Sequence, residues 1–209
     1  MRISVNDWLE DQLNHNLIPN LSEFIKIDNQ SREFDPAWAT NGKLERAVSF
    51  CLEWAKKQEI KNANFSMEKA EGKTPLLFGT VDTPDAKTTV MFYGHLDKQP
   101  PLSGWADGLG PYTPVLKDGF LYGRGSLDDG YAFFMSVLIV KALQIANRLR
   151  FRVVFFFETD EESGSNDVPY YLEKLKDRDK TPDTIFIADL GGFDASTFYL
   201  TQSIRGSVK

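Results

Sequence analysis

Four short polar motifs follow apolar runs in this sequence, and their residue types suit metal chemistry. His95-Leu96-Asp97 comes directly after MFYG (91–94). In an extended chain, positions i and i+2 point to the same side. A ligating imidazole usually gives its other N–H to a carboxylate, so His95 and Asp97 can act as ligand and orienter. A satisfied strand-end histidine beside a turn aspartate is the other reading. Gly123-Arg124-Gly125-Ser126-Leu127-Asp128-Asp129-Gly130 opens an apolar helical stretch. Its glycines suggest a phosphate cradle, but the Lys-Ser/Thr of a P-loop and the third glycine of a dinucleotide fingerprint are missing. A glycine turn with Asp128 or Asp129 as helix cap also explains it. Thr159-Asp160-Glu161-Glu162-Ser163-Gly164-Ser165 follows VVFFFE. Of two adjacent carboxylates, one can hold a cation while the other moves protons; an acidic loop starting a helix explains the same residues. Asp189 follows IFIA and precedes Leu190-Gly191-Gly192, where a lone aspartate also fits a turn.

The elements that must position these groups are legible as changes of period. Apolar residues from Asn6 to Ile27 recur at helical spacing around Pro19, giving two helices or one kinked helix. Residues 28–40 read as a loop, and Lys43–Ile60 as an amphipathic helix. PLLFGTV (75–81), TTVMFYG (88–94) and a shorter FLYGRG (120–125) read as strands. Residues 130–147 return to helix. RVVFFFE (152–158) has the continuous apolar run of a strand buried on both faces, and TIFIAD (184–189) reads as another buried strand. Residues 166–176 form a helix, with Ser165 or Asn166 as cap. Strands separated by helices predict an α/β fold, a three-layer sandwich with a mainly parallel sheet. Ligands of such sheets bind beyond the carboxyl ends of the strands. His95/Asp97, Glu161/Glu162 and Asp189 end three separate strands, and Asp128 starts a helix. So many carboxylates in one crevice need a cation, and a histidine among them suits zinc, with manganese or cobalt as alternatives.

Composition limits the other classes. The chain has 209 residues, 24 Lys plus Arg against 30 Asp plus Glu, and a net charge of −6. That sign gives no electrostatic case for nucleic acid or an anionic membrane. No apolar run approaches a membrane span, and acids occupy the place of a signal peptide's apolar core. A single cysteine, Cys51, excludes an intrachain disulfide and makes a reducing cytoplasm the default compartment. There are no internal repeats or low-complexity stretches.

The four motifs resemble the N-terminal part of the M-twenty metallopeptidases, which include carboxypeptidases, dipeptidases, deacetylases and amino-acylases. The resemblance is carried by VMFYGHLDKQP (90–100), GWADGLGPYTPVLKDGFLYGRGSLDD (104–129), ETDEESGS (158–165) and IADLGG (187–192). Gln99-Pro100 resembles the carnosine-dipeptidase-like branch. Tyr131 departs from many relatives, which carry Lys or Gly there, and is expected to tune the loop. The resemblance implies a dinuclear zinc site and cleavage of dipeptide-type C–N bonds through a zinc-bridged hydroxide. It implies that His95 binds one zinc, Asp128 bridges both, Glu162 binds the second and Asp189 completes the first. Asp97 would orient His95, and Glu161 would be the general base. The substrate would be a small peptide or an N-acyl amino acid, the latter making the protein an amidohydrolase or deacetylase.

In this family the second zinc takes a further histidine, from sequence beyond an inserted lid or dimerisation domain. Here only His15 and His95 exist. Residues 1–200 are therefore expected to be the first portion of the catalytic domain, and 201–209 the start of the lid. The second zinc site is expected to be incomplete, the full-length protein to be a homodimer, and a catalytically inactive remnant is the other outcome.

Overall fold

The computed structural model describes residues 4–179, 181–189, 194 and 197. The expected lid start at 201–209 and the Leu190-Gly191-Gly192 turn lie outside the described residues. In chain order the elements are α1 (Val5–Gln12), a π-helical turn (Leu13–Leu17), α2 (Ile18–Ile25), α3 (Trp38–Asn41), α4 (Lys43–Lys57), β1 (Ala63–Glu68), β2 (Leu76–Val81), β3 (Thr89–His95), β4 (Val115–Lys117), β5 (Phe120–Tyr122), α5 (Gly130–Ile145), β6 (Arg152–Glu158), a 3-10 turn (Glu161–Ser163), α6 (Val168–Asp179) and β7 (Thr184–Ile187).

Five strands form one sheet in the order β1-β2-β6-β3-β7. β2 pairs antiparallel with β1 and β6, while β6–β3 and β3–β7 pair parallel. Every strand but β2 therefore runs the same way, which is the mainly parallel sheet expected. The apolar run of β6 is explained by its two faces. Val153, Phe155 and Phe157 face a core shared with α2, α4 and α5, through residues such as Phe24, Trp54 and Phe133. Val154 and Phe156 face Tyr171 and Leu175 of α6. Helices on both faces make the three layers.

Several expectations are corrected. TIFIAD is expected to be a buried strand, but β7 is exposed: Ile185, Phe186 and Ile187 are 53%, 55% and 63% accessible. Among the described residues β7 is an edge, paired only with β3. An apolar run states that a strand can be buried, not which neighbours cover it. FLYGRG contributes only β5, which joins β4 in a separate hairpin. β1, with the mixed sequence ANFSME, gave no alternation strong enough to be read. The first helical segment holds two α-helices, as one of the two expectations had it, but the break between them is a π turn before Pro19, and Pro19 sits in the first turn of α2. α6 begins at Val168, so Ser165 and Asn166 lie before its first turn rather than at the cap. No helix among the described residues is long and apolar enough to cross a membrane.

Candidate metal centre

The sheet brings His95 to the carboxyl end of β3, paired in register with Glu158 at the end of β6. The imidazole is buried, at 1% accessibility. Its Nδ1 lies 3.1 Å from the Asp97 carbonyl and 3.4 Å from the Asp97 carboxylate. When the Nδ1 hydrogen is donated to Asp97, Nε2 of the neutral ring carries the lone pair. Nε2 lies 3.1 Å from Asp128, 3.5 Å from Asp189 and 3.9 Å from Glu161, yet it is buried without a hydrogen-bond partner. Buried polar atoms are nearly always satisfied, so this atom marks a place built for something else.

Asp97 is buried completely and holds the opposite strand end. Its two carboxylate oxygens accept the backbone N–H of Glu161 (3.3 Å) and Glu162 (3.1 Å). One side chain thus ties the His95 loop to the 3-10 turn carrying the paired glutamates. Gly94 is required for this closeness: a Cβ there would collide with the Asp129 carboxylate and meet the Phe157 ring at 2.8 Å. Asp129 is buried and accepts the His95 backbone N–H at 3.2 Å. It occupies the cap position of α5 but makes no side-chain cap bond, because its carboxylate is turned to β3 instead. Asp128, its neighbour, is half exposed and faces His95 Nε2.

Two groups of candidate ligand atoms lie within 4.8 Å of one another: His95, Glu161 and Asp189, and His95, Asp128 and Glu162. His95 is common to both. All five expected ligand or proton-transfer positions are thus brought together, with Asp97 directly behind. The grouping places Glu161 beside His95 and Asp189, and Glu162 beside Asp128.

The electrostatics follow from this crowding. Burial disfavours the His95 cation, but Asp128, Asp189 and Asp97 together outweigh it and raise its pKa. The His95 contact lowers the pKa of Asp128. Burial, reinforced by the Asp128 charge, pushes Glu162 up to about 7. Glu161 is raised too, by burial first, with His95 opposing and Asp189, Asp97 and Asp128 adding. Burial raises Asp129 to about 8 and Glu158 to about 7. Anionic groups held against their own repulsion are what a divalent cation relieves. One imidazole nitrogen and several carboxylate oxygens fit zinc, and the orphaned Nε2 fits a metal ligand.

Several residues support the site through contacts that the sequence did not reveal. The Gln99 amide donates to the Glu162 carboxylate. Tyr93 donates to Glu158. Tyr131, singled out only as a departure, donates to the Ala188 carbonyl and so ties α5 to the residue before Asp189. Lys98 is fully buried and donates to the carbonyls of Phe24 (2.9 Å), Ile25 (3.3 Å) and Ile27 (2.7 Å), closing the end of α2. Gly125, at φ +84°, leaves room for it, since a Cβ there would meet Lys98 Cε at 2.7 Å.

Comparison with known proteins gives the family. The human Beta-Ala-His dipeptidase is 35% identical over 169 residues, covering 77% of this chain and 33% of its own. A succinyl-diaminopimelate desuccinylase of Helicobacter pylori is 35% identical over 101 residues, 47% of this chain and 25% of its own. The crystal structure of human carnosine dipeptidase 1 superposes with a TM-score of 0.71 at 26% identity, covering 89% of this chain and 40% of that one. The chain thus spans less than half the length of each of these relatives. The family pattern described as "Peptidase family M20/M25/M40" matches residues 91–198, more than half of the sequence and every motif of the site. On this match, this chain belongs to peptidase family M20/M25/M40.

Proposed function

We propose that this chain carries the metal-binding and proton-transfer part of a metal-dependent peptide hydrolase acting on small, dipeptide-type substrates. The observation that carries the reading is His95 Nε2: buried, without a hydrogen-bond partner, and faced by carboxylates from three other segments. In this reading His95, Asp128 and Asp189 hold one ion, while Asp128 and Glu162 face a second. When bound, two zinc ions (or manganese or cobalt) would polarise the scissile carbonyl and bring the pKa of a water down to about 7. Glu161 takes a proton from the attacking water and returns it to the amine nitrogen as the C–N bond breaks. Its raised pKa supports that role, because a general base works best when its pKa approaches the working pH. Asp97 fixes the His95 ring through Nδ1 and the two glutamates through their N–H groups.

The 209 residues hold no histidine after His95, so a ligand from outside them would complete the Asp128/Glu162 position. Residues 1–200 as part of a catalytic domain, 201–209 as the start of a lid, and a homodimer of the whole protein belong to the same proposal. The single cysteine, Cys51, is buried, which suits a reducing cytoplasm. The dipeptidase relatives support peptides as substrates. The desuccinylase relative supports a second reading, removal of an acyl group from an N-acyl amino acid. Hydrolysis assays with added zinc or manganese, on a panel of dipeptides beside N-acyl amino acids, separate them. Release of amino acids from dipeptides is expected once the Asp128/Glu162 position is completed. Cleavage of N-acyl amino acids alone would favour the second reading, and metal binding without turnover on either would leave an inactive remnant.

A further inference from the structure

The turn that carries Glu161 and Glu162 is held from two sides. Asp97 binds it from the β3 side. From the other side comes a segment about 130 residues earlier in the sequence, Asn29–Glu33, which crosses between the two strand-end loops. Asn29 donates to the Leu96 carbonyl, and the Ser31 N–H donates to the Lys98 carbonyl at 3.0 Å, so the segment grips the His95 loop. Ser31 Oγ meets Ser163 Oγ, and the Glu33 N–H donates to Ser163 Oγ at 3.0 Å, so it also grips the glutamate turn.

The charged part of this clamp is Arg32. Its Nε lies 2.9 Å from Asp160, the residue directly before Glu161, and one terminal nitrogen lies 3.2 Å from Asp167. The side chains of Asp160 and Asp167 are 0% and 4% accessible. These are buried anions, unlike surface pairs, and removing one partner of such a pair is costly. Asp160 has one other anchor, the Asn166 backbone N–H at 2.9 Å with the Asn166 amide at 3.3 Å. Asp167 has more: Lys73 at 2.9 Å, the Thr74 N–H at 2.9 Å and the Thr74 hydroxyl at 3.3 Å. Loss of Arg32 therefore strips Asp160 of its cation but leaves Asp167 with Lys73. The planar guanidinium serves both carboxylates at once, which a lysine ammonium cannot reproduce.

We propose that Arg32 is a positioning residue: through Asp160 it fixes the Glu161–Glu162 turn so that Glu162 meets Asp128 at the metal centre and Glu161 stays beside His95 and Asp189. This rests on the metal reading above. The sign of the effect separates positioning from simple electrostatics. Arg32 is itself a cation, so removing it lessens repulsion toward a bound ion; charge alone predicts tighter metal binding. Positioning predicts weaker binding.

The test is zinc affinity of the 209-residue chain, by competition with a chromophoric chelator, with thermal melts alongside. Arg32→Ala is expected to weaken zinc binding by about 10- to 100-fold, the usual range for outer-shell partners of a metal site. Arg32→Lys is expected to recover part of that loss. Lys73→Ala, which removes a cation from the same network but leaves Arg32 on Asp160, is expected to bind zinc as the parent chain does. Should Arg32→Ala fail to fold, Arg32→Lys against Lys73→Ala decides, with weaker binding expected for the former only. Parent-like or tighter binding by the Arg32 variants, or equal losses in Lys73→Ala, overturns the inference while leaving the metal reading intact. A parent chain that binds no zinc overturns both.

Discussion

The two ends of the candidate centre are built on different kinds of strand. His95 and the Glu161–Glu162 turn leave β3 and β6, neighbours in the middle of the sheet, and β6 from Val153 to Phe157 is at most 1% accessible. Asp189 leaves β7, an edge strand among the described residues, whose three apolar residues are all more than half exposed. Core packing and the Asp97 bridge fix the first end. The second end is held by one strand pairing, the stack of Phe186 on Phe92 and the Tyr131 bond to Ala188. Local stability follows the number of buried contacts, so the Asp189 end should be the more adaptable half of the site.

The largest expected effect concerns proton transfer at the rigid end. In an active form of the protein, Glu161→Gln keeps metal but loses turnover by about a hundred- to ten-thousand-fold, the usual contribution of general acid–base catalysis. Glu162→Gln instead loses metal. Metal analysis and steady-state rates on both variants check this, and the opposite pattern would reverse the two roles.

The next comparison sets the centre of the sheet against its edge. Phe155→Ala empties a fully buried site between β2, β3 and the helices and should cost about 3–5 kcal/mol. Phe186→Ala removes a half-exposed ring with one stacked neighbour and should cost about 1 kcal/mol. Urea unfolding of both variants measures the difference. Similar losses would mean that β7 is covered in solution.

A smaller effect is expected from pH. Against the effect of burial, the carboxylates around His95 raise its pKa, so protons compete with metal for the ring. Metal and proton compete, so affinity rises with pH and falls as pH drops. Each proton displaced changes apparent affinity by about tenfold per pH unit. Calorimetric zinc titrations in buffers of different ionisation enthalpy should show proton release at pH 7, and heats independent of buffer would contradict it.

The sequence made the interior of this molecule readable and its borders hard to read. The run VVFFFE specifies a two-faced strand because each residue has a covered side, and His95-x-Asp97 is read from a two-residue period. β1 escaped because its residues ANFSME mix small, apolar and polar types on a strand buried mainly at Phe65. The exposure of β7 escaped because apolar composition carries no information about coverage. Asp129 looks in sequence like a helix cap, and only the fold turns it to the His95 backbone. Arg32 and Asp160 lie 128 positions apart, so their pairing leaves no local pattern. The site residues themselves were legible because each stands at the end of an apolar run or, for Asp128, at the start of one, whereas the residues that hold them are scattered through loops.

The central claim, that one buried imidazole organises both carboxylate groups around metal, is tested most directly by zinc titration of the parent chain beside His95→Ala. His95 belongs to both candidate ligand groups, so the account predicts saturable binding in the parent chain. In His95→Ala it predicts a loss exceeding the roughly 100-fold that outer-shell substitutions reach. Equal zinc affinity in the two chains would contradict the account, because the metal would then be held by residues other than those gathered around Nε2.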